Sequence, residues 1–196
     1  MLARALSIAA GLAAATALIA PAVADIDGDE FRSRDYPVRI TAPKNWHPTE
    51  HTSYPNILLW MTRKNPDGRM LLAAEPQTGR IDGETYAKRT GEVLTRLGFT
   101  VRTGQRHAAT GAWWFDLDNC GDRPTCPGKV FLRQAVLVVD GIGYSLTLAA
   151  SDARTRGQHL RAFDAALRTL VIDRNPPPVE PPAPGTPATA TEPASP

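Results

Sequence analysis

Residues 129–172 constrain this chain more than any other stretch. They read K-V-F-L-R-Q-A-V-L-V-V, then Asp140-Gly141, then I-G-Y-S-L-T-L-A-A, then an amphipathic run ending at Leu170. Two apolar segments rich in β-branched residues and joined by Asp-Gly signal a hairpin, because both central residues of such a turn need positive φ, which Asp and Gly tolerate. In the second segment Tyr144, Leu146 and Leu148 alternate with Gly143, Ser145 and Thr147, giving one apolar face and one small face. The run that follows places Leu160, Phe163, Leu167 and Leu170 on one helical stripe, with Arg154, Arg161 and Arg168 on the other side. Asp152 is the expected cap, and Pro176 prevents continuation.

Upstream, residues 36–40 alternate apolar and polar and stop at Ala42-Pro43, so they read as a strand followed by the tight connection A-P-K-N-W. Residues 57–62 are apolar on both sides, as a strand with neighbours on either flank would be. Asn65-Pro66-Asp67-Gly68 is the turn to a partner strand over residues 69–74, with Gly68 expected in a left-handed conformation. A helix follows from the cap Asp82 to the stop Gly98, with Tyr86, Thr90, Val93, Leu94 and Leu97 on one face and Lys88, Glu92 and Arg96 opposite. Residues 99–102 and 111–117 make another strand pair. Trp113, Phe115 and Leu117 share one face of the second strand; Trp114, Asp116 and Asp118 share the other. The order is βββαββββα. Tight turns between strands give a mostly antiparallel sheet of six to seven strands covered by helices, an α+β sandwich.

The two ends are different in kind. Residues 1–24 have Arg4 ahead of an Ala-rich apolar core over residues 5–19 and close on Ala22-Val23-Ala24, the small-x-small pattern of a cleaved signal peptide. That core is short for a membrane span, so no stable span is expected after cleavage, and the location expected is periplasmic or secreted. Residues 176–196 are nearly all Pro, Ala, Thr and Glu and read as a disordered Pro-rich tail. Residues 25–175 form one domain, expected as a monomer. With 22 Lys and Arg against 20 Asp and Glu, and no basic block, nucleic acid is excluded as a partner. Cys120 and Cys126 flank a Pro/Gly-containing loop; in an exported chain this pair reads as a structural disulfide, since C-x-x-C is absent and zinc needs two more ligands.

Residues 38–46, 83–97 and 140–170, with the A-P-K-N-W phrase and the D-G-I-G-Y-S-L-T-L hairpin, together resemble the PsbP-like superfamily, which includes the photosystem protein PsbP, DcrB-like exported proteins and the Ran-binding protein Mog. The resemblance frames residues 36–172. It implies an antiparallel sheet between helices and a non-enzymatic accessory or binding role, and it carries over no site residue. The cysteine pair and the Pro-rich tail lie outside it.

Three constellations carry candidate chemistry. His47, Glu50 and His51 offer two imidazoles and a carboxylate within five residues, a set suited to zinc or copper; the plain alternative is a polar surface loop. Asp116, Asp118 and Gly121 imitate the start of a calcium loop, but Cys120 and Pro127 stand where further ligands are needed, leaving at most a loose cation site with Asp122. Trp114, with Asp116 and Asp118 on its face, is a partner-surface candidate if no helix covers it. Gly-x-Ser-x-Gly is absent and no local catalytic motif occurs, so no enzyme and no cofactor are expected. The reading is an exported envelope protein binding an unidentified protein or small molecule; the alternatives are a metal carrier or sensor at His47 and His51, and an envelope enzyme with a dispersed site.

Overall fold

The structure is a computed structural model and describes residues 24–50, 54, 56–119 and 128–173. The signal-peptide reading of residues 1–24 therefore falls almost wholly outside the described residues. So do the Pro-rich tail, His51, Asp122 and the pair Cys120 and Cys126.

The hairpin that dominates the sequence is the middle of the molecule. Strands β9 (Phe131–Val139) and β10 (Ile142–Ala150) pair residue for residue across Asp140-Gly141, both at positive φ, 51° and 77°. The next hairpin, β5 (Ile57–Lys64) and β6 (Asp67–Pro76), turns at a cis Asn65-Pro66 bond. With β4 (His47–Glu50), β7 (Thr100–Arg106) and β8 (Trp113–Asp118), these strands form a seven-stranded sheet in the order β4-β5-β6-β10-β9-β8-β7, every pair antiparallel. The edge place belongs to β4 rather than to the strand at residues 36–40. That strand, β3 (Val38–Thr41), sits instead in a second sheet with β1 (Ala24–Asp27), β2 (Glu30–Ser33) and β11 (Val171–Ile172) in the order β1-β2-β3-β11. All seven expected strands exist; β1, β2, β4 and β11 are additional to the order βββαββββα.

Helix α1 (Gly83–Arg96) begins where Asp82 accepts the Thr85 amide at 2.7 Å and stops at Gly98, φ 87°. Helix α2 (Ala153–Thr169) begins the same way, Asp152 accepting the Thr155 amide at 2.8 Å. Each carboxylate is held below its ordinary range, chiefly by that backbone N–H. The two helices take opposite faces of the large sheet. Tyr86 and Ala87 of α1 pack with Phe99, Phe115, Leu117 and Val136. Phe163, Ala166 and Leu167 of α2 pack with Tyr144, Leu146, Leu148, Leu72 and Met70, and with Phe31, Val38 and Ile40 of the small sheet. The alternation read in β10 decides this division: large apolar residues meet α2 and small ones meet α1. Gly143 allows α1 to come so close that a Cβ there would lie 2.5 Å from the Tyr86 ring.

Gly68 is a glycine for a different reason than the sequence indicated. Its φ is not positive. It lies in β6 under the ring of His159 and the indole of Trp46, and a Cβ would meet them at 2.6 and 2.9 Å. His159 is 1% exposed, packs edge-to-face on Trp46 at 5.1 Å and places Nε2 3.2 Å from the carbonyl oxygen of Asp67. This histidine joins α2 to the β5–β6 turn.

Candidate functional site

The residues singled out by sequence are distributed, not gathered. His47 and Glu50 lie on the edge strand β4, opposite Thr62 and Leu59; three apart on a strand, they project to opposite faces. His47 is exposed and Glu50 half-buried. Among the described residues no group of three or more His, Cys, Asp or Glu side chains converges to hold a metal.

Trp114, Asp116 and Asp118 do share a face, the one on the α2 side. Asp116 takes a bidentate pair from Arg133 of β9, at 2.8 and 2.9 Å, and a third contact from Arg156 of α2 at 3.2 Å. Arg133 also lies 4.2 Å from the centroid of Trp114, so one cation covers the ring and neutralises the carboxylate. The side chains of Arg133 and Asp116 are only 13% and 20% exposed. The condition for an open partner surface, that no helix covers this face, is not met at Asp116, because α2 reaches it through Arg156. Trp114 is half-buried against the core, and Asp118 is buried with Arg102 at 3.2 Å.

A different site forms at the other end of β8. Strand β9 runs on through residues 137–139 after its last pairing with β8, Val136 opposite Trp113. Its edge is left open there by the turn between β7 and β8. That turn is tied by His107 Nδ1 to Thr110 Oγ1 (3.0 Å), by the Gly111 amide donating to the His107 carbonyl, and by the His107 amide donating to the Ala112 carbonyl. The start of α1 closes the third side. Together they bound a half-open cleft of about 440 Å³ lined by Glu84, Arg106, Thr110, Trp113 and Val138.

The cleft has an indole floor and charged rims. Arg106 and Trp113 are opposite one another in the β7–β8 register, and Trp113 lies under Gly83 at the start of α1. Arg106 spends Nε on the Gly111 carbonyl at a long 3.4 Å. Among the described residues its guanidinium makes no ion pair, and neither does Glu84, although both line the same cavity. Asp82, also on the rim, is committed to capping α1. Sequence reasoning missed this site because its members are brought together only by the sheet; the one local signal was Trp113 beside a turn containing His107, Thr110 and Gly111.

Comparison with known proteins gives no matching family model and no matching curated protein. Solved structures do match. LpqN of Mycobacterium tuberculosis, involved in cell envelope biogenesis, is 15% identical over 68% of this chain and 81% of its own, with a TM-score of 0.51. The Ran-binding protein Mog1p of Saccharomyces cerevisiae is 6% identical over 76% of this chain and 96% of its own, TM-score 0.54. Cyanobacterial PsbP from Synechocystis is 9% identical over 83% and 99%, TM-score 0.47. At such identities what the first two share with this chain is the fold alone. The chain has the PsbP-like fold.

Proposed function

We propose that this chain is an exported, non-catalytic binding protein of the cell envelope that holds its ligand in the cleft between α1 and the β7–β8 turn. The observation that carries the reading is the cleft itself, an indole-floored cavity whose two rim charges, Arg106 and Glu84, have no ion-pair partner among the described residues. The signal-like residues 1–24 support export. No described helix is long and apolar enough to cross a membrane. The same fold serves in a Ran-binding protein and in a protein of cell envelope biogenesis.

The test fills the cleft without disturbing the core. A Cβ at Gly83 meets only the Trp113 ring, at 3.8 Å, and Gly83 is not at positive φ, so Gly83→Leu fits the backbone and occupies the floor. The full chain purified from the envelope is expected to start at Asp25 and to carry a non-covalent mass in native mass spectrometry that Gly83→Leu lacks. Equal loading of both proteins, or none in either, would refute the site.

A further inference from the structure

The cleft has a chemical polarity that narrows what it can hold. At one rim stands a guanidinium whose Nη donors have no hydrogen-bond or ion-pair partner among the described residues; its planar fork fits a carboxylate in two-point contact. At another stands the carboxylate of Glu84, in the first turn of α1 and engaged in no hydrogen bond or ion pair among the described residues. These opposite charges border one cavity yet form no ion pair with each other. Trp113 lines the same cavity, its indole edge 3.8 Å from where a Cβ on Gly83 would stand. On the side wall are residues 137–139 of β9, whose backbone has β10 on one edge and, among the described residues, no strand on the other.

Each simpler ligand meets a repulsive element. A phosphate or other polyanion faces the carboxylates of Glu84 and Asp82 against a single arginine. A lone metal or organic cation faces Arg106. A neutral apolar molecule would leave both charges desolvated and unpaired as it filled the cleft, which is costly. A molecule carrying one carboxylate, one ammonium and an apolar side group satisfies every wall.

We infer that the cleft binds a small zwitterion, a free amino acid or a short peptide, with its carboxylate on Arg106, its ammonium on Glu84 and its apolar side chain on Trp113. This rests on the binding role proposed above and names the ligand class for that cleft. A peptide has the further advantage of a main chain that can pair with the open edge of residues 137–139, the mode by which extended segments add to sheet edges.

Isothermal titration of the full chain with Ala-Leu-Ala, its N-acetyl form, its C-terminal amide and free L-leucine tests the inference. The unmodified tripeptide is expected to bind, and each blocked form to bind about fivefold or more weakly, the worth of one partly solvated charge pair. Arg106→Gln should bind the acid and the amide alike, and Glu84→Gln the free and acetylated amines alike. Both side chains are exposed, so neither substitution reaches the core. Tripeptide binding tighter than leucine would assign the site to peptides; equal binding would assign it to single amino acids. No binding of either, or blocked forms that bind as well as free ones, overturns the zwitterion. If Gly83→Leu nevertheless loses an envelope-derived mass that the wild type carries, the binding role stands and only the ligand class falls.

Discussion

Gly143→Ala should be one of the most damaging single-methyl changes in the molecule. Its Cβ would stand 2.5 Å from Tyr86 Cζ and 2.7 Å from the hydroxyl, whereas carbon atoms in contact sit at about 3.5–4.0 Å. Tyr86 cannot easily yield. Its ring is 6% exposed, and its hydroxyl donates to Glu75 at 2.9 Å. Relief requires α1 to lift off the sheet or the ring to abandon Glu75. Overpacking alone costs roughly 1–3 kcal/mol, and losing a hydrogen bond to a charged acceptor adds about 1.5–3 kcal/mol. Partial relaxation makes about 2–4 kcal/mol the expectation, a large share of the ~5–15 kcal/mol that holds a domain folded. In a Tyr86→Ala background the sign should reverse. The obstruction is gone, and Gly to Ala at a permitted backbone conformation stabilises by about 0.4–1 kcal/mol through the unfolded state. Urea unfolding of the four proteins of this cycle measures the coupling, provided m is unchanged. A Gly143→Ala protein within about 0.5 kcal/mol of wild type, or one equally damaged without Tyr86, would refute the close approach as the reason for the glycine.

Tyr144 is fully buried, and its hydroxyl has no hydrogen-bond partner among the described residues, so Tyr144→Phe should be neutral or stabilising by up to about 1 kcal/mol in the same urea assay. Burial pushes the Tyr144 phenol up to about 12. The unfolded chain therefore loses this proton first: stability is complete below the ordinary value near 10 and falls as pH rises through 12, and Tyr144→Phe should make that alkaline decline shallower. Asp116→Asn leaves Arg133 and Arg156 facing each other half-buried without their shared negative charge, and a loss of roughly 2–4 kcal/mol is expected; a change below about 0.5 kcal/mol would mean the pairs are solvated. Asp82→Ala and Asp152→Ala should each lower the melting temperature at neutral pH. Because the wild-type carboxyls are held low by the Thr85 and Thr155 amides, their contribution is present above the ordinary value near 4 and disappears as pH falls through the lowered one. Melting curves of wild type and variants should therefore converge in acid.

Hairpins and capped helices were legible because their causes are local. Asp140-Gly141 fixes β9–β10 through two dihedrals, and Asp82 and Asp152 mark helix starts through a bond three residues long. Three of the four strands of the small sheet were not legible. Ala24–Asp27 and Glu30–Ser33 are four residues each and carry charges, too short to show a period, and Val171–Ile172 follows directly on a helix capped at Leu170, whose apolar pattern hides it. His47–Glu50 reads as a loop because it contains Pro48 and little apolar content, yet an edge strand tolerates proline on its outer side. The face of Trp114 was assigned correctly from alternation, but its fate depended on Arg133 and Arg156, 19 and 42 residues away. The cleft was invisible for the same reason: Glu84, Arg106 and Val138 meet only after the sheet has formed.

The ladder between β6 and β10 joins residues 69–76 to 142–149, while the chain between them travels out through α1, β7, β8 and β9. Each side of that ladder is built from neighbours in sequence, so the large sheet is two short-range assemblies sharing one seam. The seam is reinforced by a clasp, β11 closing on β3, and by α2 lying across β10, β6 and β3. A chain opened in the connection at residues 77–82 would yield two pieces, each ending in a raw strand edge that matches the other's in length and pattern. Such pieces should recombine from separate polypeptides, with β10 supplying to the first what the covalent link no longer has to.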